Sequence, residues 1–207
     1  VFACDMGLDR LVVYDLDRET GRLEPAAHPF AQLSSGAGPR HLAVHPNNRV
    51  VYTVNEMDST VSAFAYDAAT SALRIIDTIR TRPEDFEGIN SGAQIMVHPS
   101  GRFLYSSNRG HNSVATCSLD QTTGRPKLLG LEPSQGETPR NFNIDPSGRF
   151  LVVANVGSSN LVSFHIDPDS GRLTPTGHIV SSPNPVCVMF RASDGPLPPR
   201  VREQVGR

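Results

Sequence analysis

The sequence predicts an all-β fold, a β-propeller built from four-stranded antiparallel blades, on three observations. A motif recurs along the 207 residues with a period of about 50, which is typical of propeller-type arrays. Each repeat divides into four short segments that are apolar or alternate between apolar and polar residues, and no helical period is visible. The 17 Gly and 17 Pro residues supply the many tight turns that such short strands need.

The repeat is clearest in three stretches that align without gaps: residues 45–67, 98–120 and 145–167. Each opens on His-Pro or Asp-Pro, turns at an Arg, continues through an apolar run to an Asn, and closes on an Asp. The opening stretch 1–17 matches the second half of the same unit, with Asp5 in the Asn column. Units repeated in series at this spacing predict successive blades.

Four strands are expected around the first complete motif, at residues 40–44, 50–54, 61–66 and 73–79. In the other units the turn between the third and fourth strands carries a glycine, which provides the positive φ of a tight hairpin. These glycines are Gly21, Gly124 and Gly171. Four antiparallel strands in each repeat make one propeller blade.

The number of units gives a partial ring. Residues 1–190 hold about three and a half to four blades, whereas closed propellers have roughly four to eight. Because Val1 falls in the middle of a blade, the chain is expected to be part of a larger ring, with pairing of two copies as the alternative. The last residues, 191–207, combine prolines with mixed charges and are expected to form a disordered tail.

Composition excludes several classes of partner. The formal net charge of −2 provides no field for nucleic acid or for an anionic membrane. No apolar run approaches the roughly 20 residues of a membrane span. The three cysteines, Cys4, Cys117 and Cys187, are far apart and have no CxxC spacing, which fits free thiols in a reducing cytoplasm. A cytoplasmic protein with no cofactor and no bound metal is expected.

The register of the first hairpin in each blade places five polar residues at the same blade end: Arg40, His41, Glu56, Arg109 and Arg140. The same register pairs His41 with Val54, Arg109 with Gly92, and Arg140 with Asn155. Because the innermost strands of a propeller line its central channel, the five side chains are expected to meet at one mouth of that channel.

The column that follows the repeated Asn indicates where the chemistry lies. It reads Met6, Glu56, Arg109 and Val156, so opposite charges stand in neighbouring blades where a structural position would repeat its residue type. The Asn column itself (Asn55, Asn108 and Asn155) is expected to cap turns. Asn108, beside Arg109, and His111, at the tip of the following turn, are nevertheless retained as candidates for substrate contact.

The remaining histidines have structural interpretations. His45 and His98 occupy the column that Asp145 fills in the last unit, which predicts that they cap the Pro turn. His41 and His45 are four residues apart, but on a strand this spacing does not produce the metal-binding pair that it produces on a helix.

Four stretches together resemble a known family: residues 38–41 (GPRH), 54–59 (VNEMDS), 107–113 (SNRGHNS) and 138–142 (TPRNF). The chain resembles the seven-bladed lactonases of the cycloisomerase-type 6-phosphogluconolactonase family, which is related to the fungal carboxy-muconate cyclases. The resemblance covers residues 1–190. It implies a ring of which this chain would hold about half to four-sevenths, and an active site of Arg, Glu and His side chains in the channel mouth.

Carried over residue by residue, the resemblance assigns Arg40, Glu56 and Arg109 first, with His41 and Arg140 next. It implies hydrolysis of a phosphorylated sugar lactone, 6-phospho-D-glucono-1,5-lactone, to 6-phosphogluconate in the pentose phosphate pathway. Glu56 would be the base for the attacking water, the arginines would hold the phosphate or the oxyanion, and His41 would orient the sugar or move a proton. A His-containing segment that the family has in the preceding blade is not in this sequence.

Three alternatives remain open at the level of sequence. The same arginines would bind a dicarboxylate in a muconate-type lactonizing cycloisomerase. Glu56 and the Asn column would ligate calcium in a calcium-dependent sugar lactonase. A non-catalytic propeller used as a binding platform is the third, although it gives no reason for Glu and Arg to alternate in one column. The oligomeric state is not predicted.

Overall fold

The computed structural model describes residues 1–191, and within that range every regular element is a β-strand. Blade A has three strands: β1 (Phe2–Asp5), β2 (Arg10–Leu16) and β3 (Leu23–Gln32). Blade B has four: β4 (Pro39–Val44), β5 (Val50–Asn55), β6 (Thr60–Asp67) and β7 (Ala72–Arg80). Blade C has β8 (Ser91–Val97), β9 (Phe103–Arg109), β10 (Ser113–Leu119) and β11 (Pro126–Pro133). Blade D has β12 (Pro139–Ile144), β13 (Phe150–Asn155), β14 (Asn160–Ile166) and β15 (Leu173–Ser181).

Each blade is an antiparallel sheet whose strand order follows the sequence. The predicted all-β fold of four-stranded blades is confirmed for blades B, C and D, whereas blade A has three strands among the described residues. The four strands expected in blade B agree with β4–β7 to within one or two residues at each end. The first strands β4, β8 and β12 lie beside one another from blade to blade, so they are the innermost strands.

The core lies between blades rather than inside any one of them. Val51 and Phe64 of blade B pack with Leu11 of blade A on one face. On the other face of the same blade, Tyr52 and Val54 pack with residues of blade C. Because each central sheet is covered on both faces, β5 is buried at all six positions, and its sequence is nearly continuous in apolar residues instead of alternating.

Two histidines connect neighbouring blades at the turn between the first and second strands. Nε2 of His45 donates to the carbonyl of Gly101 over 2.9 Å, and Nε2 of His98 donates to that of Gly148 over 2.8 Å. In each ring, Nδ1 accepts a backbone N–H from its own turn at 3.1 Å. The predicted turn-capping role is therefore confirmed, and the bond to the next blade is an addition that we call the histidine bridge.

The register of the first hairpin agrees with the prediction in part. His41 pairs with Val54 as predicted. Arg109, however, pairs with Ser91, and Asn155 pairs with Pro139, so both predicted partners were wrong by one residue. The cause is a β-bulge near the start of each innermost strand, which inserts an extra residue that has no partner. A bulge bends its strand and redirects the local side chains.

After β15 the chain runs along blade D without forming a regular strand. The backbone N–H of Val188 donates to Asn141 Oδ1 at 2.8 Å, and its carbonyl accepts from Asn143 Nδ2 at 2.9 Å. Apart from Arg191, the tail expected at 191–207 lies outside the described residues. The described residues contain no helix with the length and hydrophobicity that a membrane crossing needs.

Candidate active site

Glu56 is held between two arginines at the end of the innermost strands. Its Oε2 lies 2.9 Å from Arg40 Nε, and its Oε1 lies 2.8 Å from Arg109 Nη2. Only 13% of the Arg40 side chain, 14% of the Arg109 side chain and 23% of the Glu56 side chain are exposed, so the ion pairs are largely shielded from solvent. The predicted convergence of these three residues is confirmed by their distances, while their functional roles stay predictions.

The backbone of three neighbouring strands fixes this triad. The N–H of Glu56 donates to the carbonyl of Gly38 at 2.7 Å, and the carbonyl of Glu56 accepts from Gly92 at 3.2 Å. Arg109 Nη2 also donates to the Gly92 carbonyl at 3.1 Å, and Arg40 Nη1 donates to that of Ala93 at 2.6 Å. Each guanidinium is therefore bound by both a carboxylate and a backbone carbonyl, which restricts it to one orientation.

Glycine is required at position 92 for this arrangement. A Cβ atom there would lie 2.7 Å from the carbonyl oxygen of Asn55 and 2.7 Å from Val54 Cγ2 in the preceding blade. Contacts this short would push β8 away from the end of β5. The missing side chain thus lets the innermost strand of blade C approach the end of the strand that leads into Glu56.

His41 lies next to the triad and has two polar neighbours. Its Nδ1 is 2.5 Å from Gln94 Oε1. Arg40 Nη1 is 3.2 Å from Nε2 and 3.3 Å from Nδ1. Because Cε1 lies between the two ring nitrogens, an atom nearly equidistant from both would overlap Cε1–H if it were in the ring plane. Arg40 Nη1 therefore lies over the face of the imidazole, with its N–H pointing at the ring.

The protonation of His41 is set by this environment. Burial, followed by the positive charges of Arg40 and Arg140, lowers the pKa of His41 below its ordinary value of 6.5. The hydrogen bond that His41 donates to Gln94 and the charge of Glu56 oppose that shift without reversing it. At neutral pH the ring is consequently uncharged and can accept a proton.

Arg140 completes the set of charges. It is the extra residue of the bulge in β12, its side chain is exposed, and it is close enough for its charge to lower the pKa of both Arg40 and His41. For Arg40, burial is the largest cause of the lowered pKa and repulsion from Arg109 is the second. Three guanidiniums and one carboxylate leave a formal excess of two positive charges, so the site favours an anion.

A groove of about 600 Å³ begins beside this cluster. Arg40, His41 and Gln94 form its polar end, and Cys4 and apolar residues of β1, β4 and β8 form the rest. Burial raises the pKa of the Cys4 thiol to about 12, so the thiol stays protonated and is not a nucleophile at neutral pH.

Two of the predicted contact residues are placed differently. Asn108 is fully buried, and its amide is occupied by Thr81, Asn90 and Ser113. This removes it from contact with a substrate, a correction that follows from the Asn column being structural. His111 donates or accepts at Ser113 Oγ over 2.7 Å and packs edge-on against Phe86, so the structure attaches it to the turn after β9 and not to Glu56.

Gln94 is the site residue that the sequence prediction missed. It occupies the same repeat column as His41 and Asn141, one position after the column of Arg40 and Arg140. That column varies in residue type from blade to blade, which is the same signal that marked Glu56 and Arg109. Gln94 lies within the bulge of β8, so a register count that assumes continuous pairing does not place it at the site.

The geometry disfavours a calcium site. Glu56 is surrounded by guanidiniums that repel a cation, and both of its oxygens are bound to them. The amide oxygens of Asn55 and Asn108 accept hydrogen bonds from neighbouring side chains instead of pointing into the site. Across residues 1–191 there is no cluster of three His, Cys, Asp or Glu side chains with metal-binding geometry.

Comparison with known proteins gives a consistent result. The family model described as "Lactonase, 7-bladed beta-propeller" matches residues 1–190. A 6-phosphogluconolactonase of Bacillus subtilis (strain 168) is 38% identical over 190 residues, covering 92% of this chain and 53% of the relative. The 6-phosphogluconolactonase of Serratia proteamaculans (strain 568) is 37% identical over 137 residues, covering 66% of this chain and 41% of the relative.

A solved structure supports the same fold. The periplasmic gluconolactonase of Pseudomonas aeruginosa superimposes with a TM-score of 0.84 at 33% sequence identity, covering 89% of this chain and 51% of that protein. The chain thus spans about half the length of the relatives that it matches. The four blades described above correspond to part of a longer propeller in those proteins.

Proposed function

The chain belongs to the seven-bladed β-propeller lactonase family, and we propose that its protein hydrolyses a sugar lactone, with 6-phospho-D-glucono-1,5-lactone as substrate and 6-phosphogluconate as product. The observation that carries this proposal is the Arg40–Glu56–Arg109 triad beside His41. It provides oriented positive charge next to an uncharged imidazole, the two elements that opening a lactone requires. The Bacillus and Serratia relatives named 6-phosphogluconolactonase support the choice of substrate.

The arginines are proposed to divide two tasks. Arg109 is largely buried and held by Glu56 and a backbone carbonyl, so it suits the fixed stabilisation of a developing oxyanion. Arg140 is exposed and suits the phosphate group, which enters with its own hydration and needs a charged, accessible donor. Arg40 forms an ion pair with Glu56 and directs an N–H at the His41 ring.

We propose His41 as the general base and assign Glu56 to the orientation of the arginines. Each Glu56 oxygen already accepts a charged hydrogen bond from a guanidinium, so both oxygens are engaged in holding the arginines. His41 is uncharged at neutral pH because of its lowered pKa. This replaces the sequence-based hypothesis in which Glu56 activated the water.

The proposed reaction balances with these groups alone. Water attacks the lactone carbonyl carbon while His41 takes one of the water protons, and the carbonyl oxygen becomes an oxyanion beside Arg109. The bond from that carbon to the ring oxygen then breaks, and the imidazolium returns its proton to the ring oxygen, which becomes a hydroxyl group. The new carboxylic acid releases its proton to solvent.

The compartment is part of the same proposal. A phosphorylated sugar and three free cysteines favour the cytoplasm, where thiols remain reduced. The Pseudomonas neighbour is periplasmic, so this assignment is independent of the fold and is tested by cell fractionation.

The substrate is tested by comparing two lactones on the full-length protein. We expect hydrolysis of 6-phosphogluconolactone well above its spontaneous rate, and a smaller kcat/KM for unphosphorylated glucono-1,5-lactone. Arg140→Ala should raise KM about 10-fold or more for the phosphorylated lactone and leave KM for the unphosphorylated one unchanged. The matched control is Arg149→Ala, an exposed arginine of the repeated turn in the same blade, which should change neither. Absence of any rate above the spontaneous one with both lactones would overturn the proposal.

A further inference from the structure

The side chain of Gln94 joins the innermost strands of three blades at the edge of the site. We propose that Gln94 is a positioning residue that holds His41 as its Nδ1–H tautomer, so that Nε2 is the atom that takes the proton from water. The inference rests on the lactone hydrolysis proposed above, because it assigns the atom through which His41 acts in that reaction.

The orientation of the Gln94 amide follows from its partners. Its Nε2 lies 3.3 Å from the carbonyl oxygen of Phe142 in β12. A carbonyl oxygen can only accept, so the amide nitrogen must be the end that faces Phe142. The amide oxygen therefore faces His41, at 2.5 Å from Nδ1. The backbone of the same residue is fixed as well, because its N–H donates to Ser107 Oγ at 3.1 Å.

The tautomer of His41 follows in turn. An amide oxygen only accepts, so a hydrogen bond to it requires a proton on Nδ1. A neutral imidazole carries one proton, which leaves a lone pair on Nε2. Free histidine favours the opposite tautomer, so the protein selects the less common form by supplying an acceptor at Nδ1.

The Nε2 lone pair is available for chemistry. Arg40 is the other polar neighbour of the ring among the described residues, and it lies over the ring face. The lone pair lies in the ring plane and is therefore not occupied by the guanidinium. His41 and Gln94 both line the groove of about 600 Å³.

Asn141 in the next blade provides a comparison for a purely structural role of Gln94. Asn141 occupies the equivalent position in β12 and bridges to the following segment by accepting from the Val188 N–H at 2.8 Å. Both side chains join neighbouring strands, but only Gln94 contacts a histidine. A variant of Asn141 is therefore the matched control for the bridging function alone.

The test measures the tautomer of His41 directly, by 15N NMR of its ring nitrogens at a pH above its pKa. Gln94→Met preserves the length of the side chain and removes the acceptor, and Gln94→Glu restores an acceptor. In the wild type we expect the Nδ1–H form alone. Gln94→Met should convert most of His41 to the Nε2–H form and lower kcat roughly 10-fold with KM unchanged. Asn141→Leu should leave the His41 spectrum and kcat as they are.

The pH dependence of kcat/KM provides a second test of the contact between Gln94 and His41. The charged groups that face His41 are Arg40 on its own strand, Glu56 after β5 and Arg140 on β12, while Cys4 on β1 remains an uncharged thiol. None of these groups changes in the Gln94 variants. The carboxylate of Gln94→Glu adds a negative charge beside Nδ1, which favours the imidazolium. This variant should therefore move the acid limb of kcat/KM to higher pH and keep the Nδ1–H tautomer.

Failure of this inference is separable from failure of the proposed function. An unchanged His41 tautomer in Gln94→Met, in a folded protein that hydrolyses the lactone, would contradict the positioning role alone. An equal loss of kcat in Gln94→Met and Asn141→Leu would also contradict it and leave a bridging role. Absence of lactone hydrolysis in a wild type that shows the Nδ1–H form would overturn the proposed function and, with it, the role of Nε2 as a base.

Discussion

The two ends of β4 each carry a histidine, and the protein uses the two rings in opposite ways. At the turn end, His45 is 7% exposed, its Nε2 donates to the Gly101 carbonyl and its Nδ1 accepts a backbone N–H. At the other end, the Nδ1 of His41 faces Gln94, and the ring lines the groove. Both nitrogens of the His45 ring are bound to backbone groups, whereas the His41 ring contacts only side chains, those of Gln94 and Arg40, among the described residues.

This difference shows how a repeated fold separates structure from chemistry. The histidine bridge recurs in the next blade at His98 because the geometry between neighbouring blades recurs. The residue that the bridge approaches is a glycine in both cases, Gly101 and Gly148. At the opposite blade end the residue types change from blade to blade, because a site is built once per ring. Positions that repeat stabilise the blades, and positions that vary form the site.

The largest effect that this comparison predicts is on activity at Arg109. Replacing Arg109 by Met removes a donor that Glu56 and Gly92 hold in place, and the loss of one such donor typically lowers kcat by about 10²–10³. Lactone hydrolysis by the full-length protein measures it, with urea denaturation to verify folding.

The matched control for Arg109 is Arg102→Met. Arg102 is an exposed arginine of a repeated turn, bound to the carbonyls of Pro168 and Asp169, and its loss should leave kcat unchanged. Equal losses of activity at the two positions would contradict the distinction between repeated and varied columns.

The next effect is on stability at the histidine bridge. Gly148 has φ +74°, and a Cβ there would lie 2.7 Å from His98 Nε2. Gly148→Ala should therefore lower the free energy of unfolding by about 2–3 kcal/mol, from backbone strain of about 1–2 kcal/mol together with the disturbed hydrogen bond. The specific activity of the folded fraction should not change. Urea denaturation and lactone hydrolysis on the same samples give both values.

Gly177→Ala separates the two causes of that loss. Gly177 has φ +82°, and a Cβ there would meet nothing within 4 Å, so the substitution costs only the backbone strain of about 1–2 kcal/mol. If Gly148→Ala were no more destabilising than Gly177→Ala, the histidine bridge would contribute nothing to stability.

The sequence was sufficient to predict the blades and the position of the charged triad. Its period, turns and closing acids are all local signals, and they locate β4–β7 to within a residue or two. The convergence of Arg40, Glu56 and Arg109 followed because one hairpin register applies to every blade. The partners of Arg109 and Asn155 were wrong by one residue because a bulge inserts a residue without altering the pattern of residue types.

Gln94 and Asn108 show what the sequence pattern does not predict about the site. The role of Gln94 depends on a contact between blades and on the direction of an amide, and neither has a signal along the chain. Asn108 is next to a site residue in sequence, but its side chain points into the blade, where it is fully buried. Proximity along a strand therefore does not establish access to the site, since successive side chains point to opposite faces.

The smallest predicted effect concerns the closing acids, a repeated column at the turn between the third and fourth strands. The backbone N–H and hydroxyl of Thr123 and the N–H of Thr122 lower the pKa of Asp120 below 3.8. Because the folded protein binds this proton less readily than the unfolded chain, the stabilisation is present above pH 3.8 and is lost as the pH falls through the lower folded value. Asp120→Asn should thus be less stable than the wild type near neutral pH, and the difference should shrink to nothing in acid.

Urea denaturation at a series of pH values measures this difference. The control is Asp15→Asn, an exposed carboxylate that accepts no hydrogen bond from the described residues, which should follow the wild-type curve. Since the closing acids are fully exposed and belong to the repeated set, Asp120→Asn should leave kcat and the acid limb of kcat/KM unchanged. An altered acid limb would connect the repeated turns to the site, and the separation between the two blade ends would then fail.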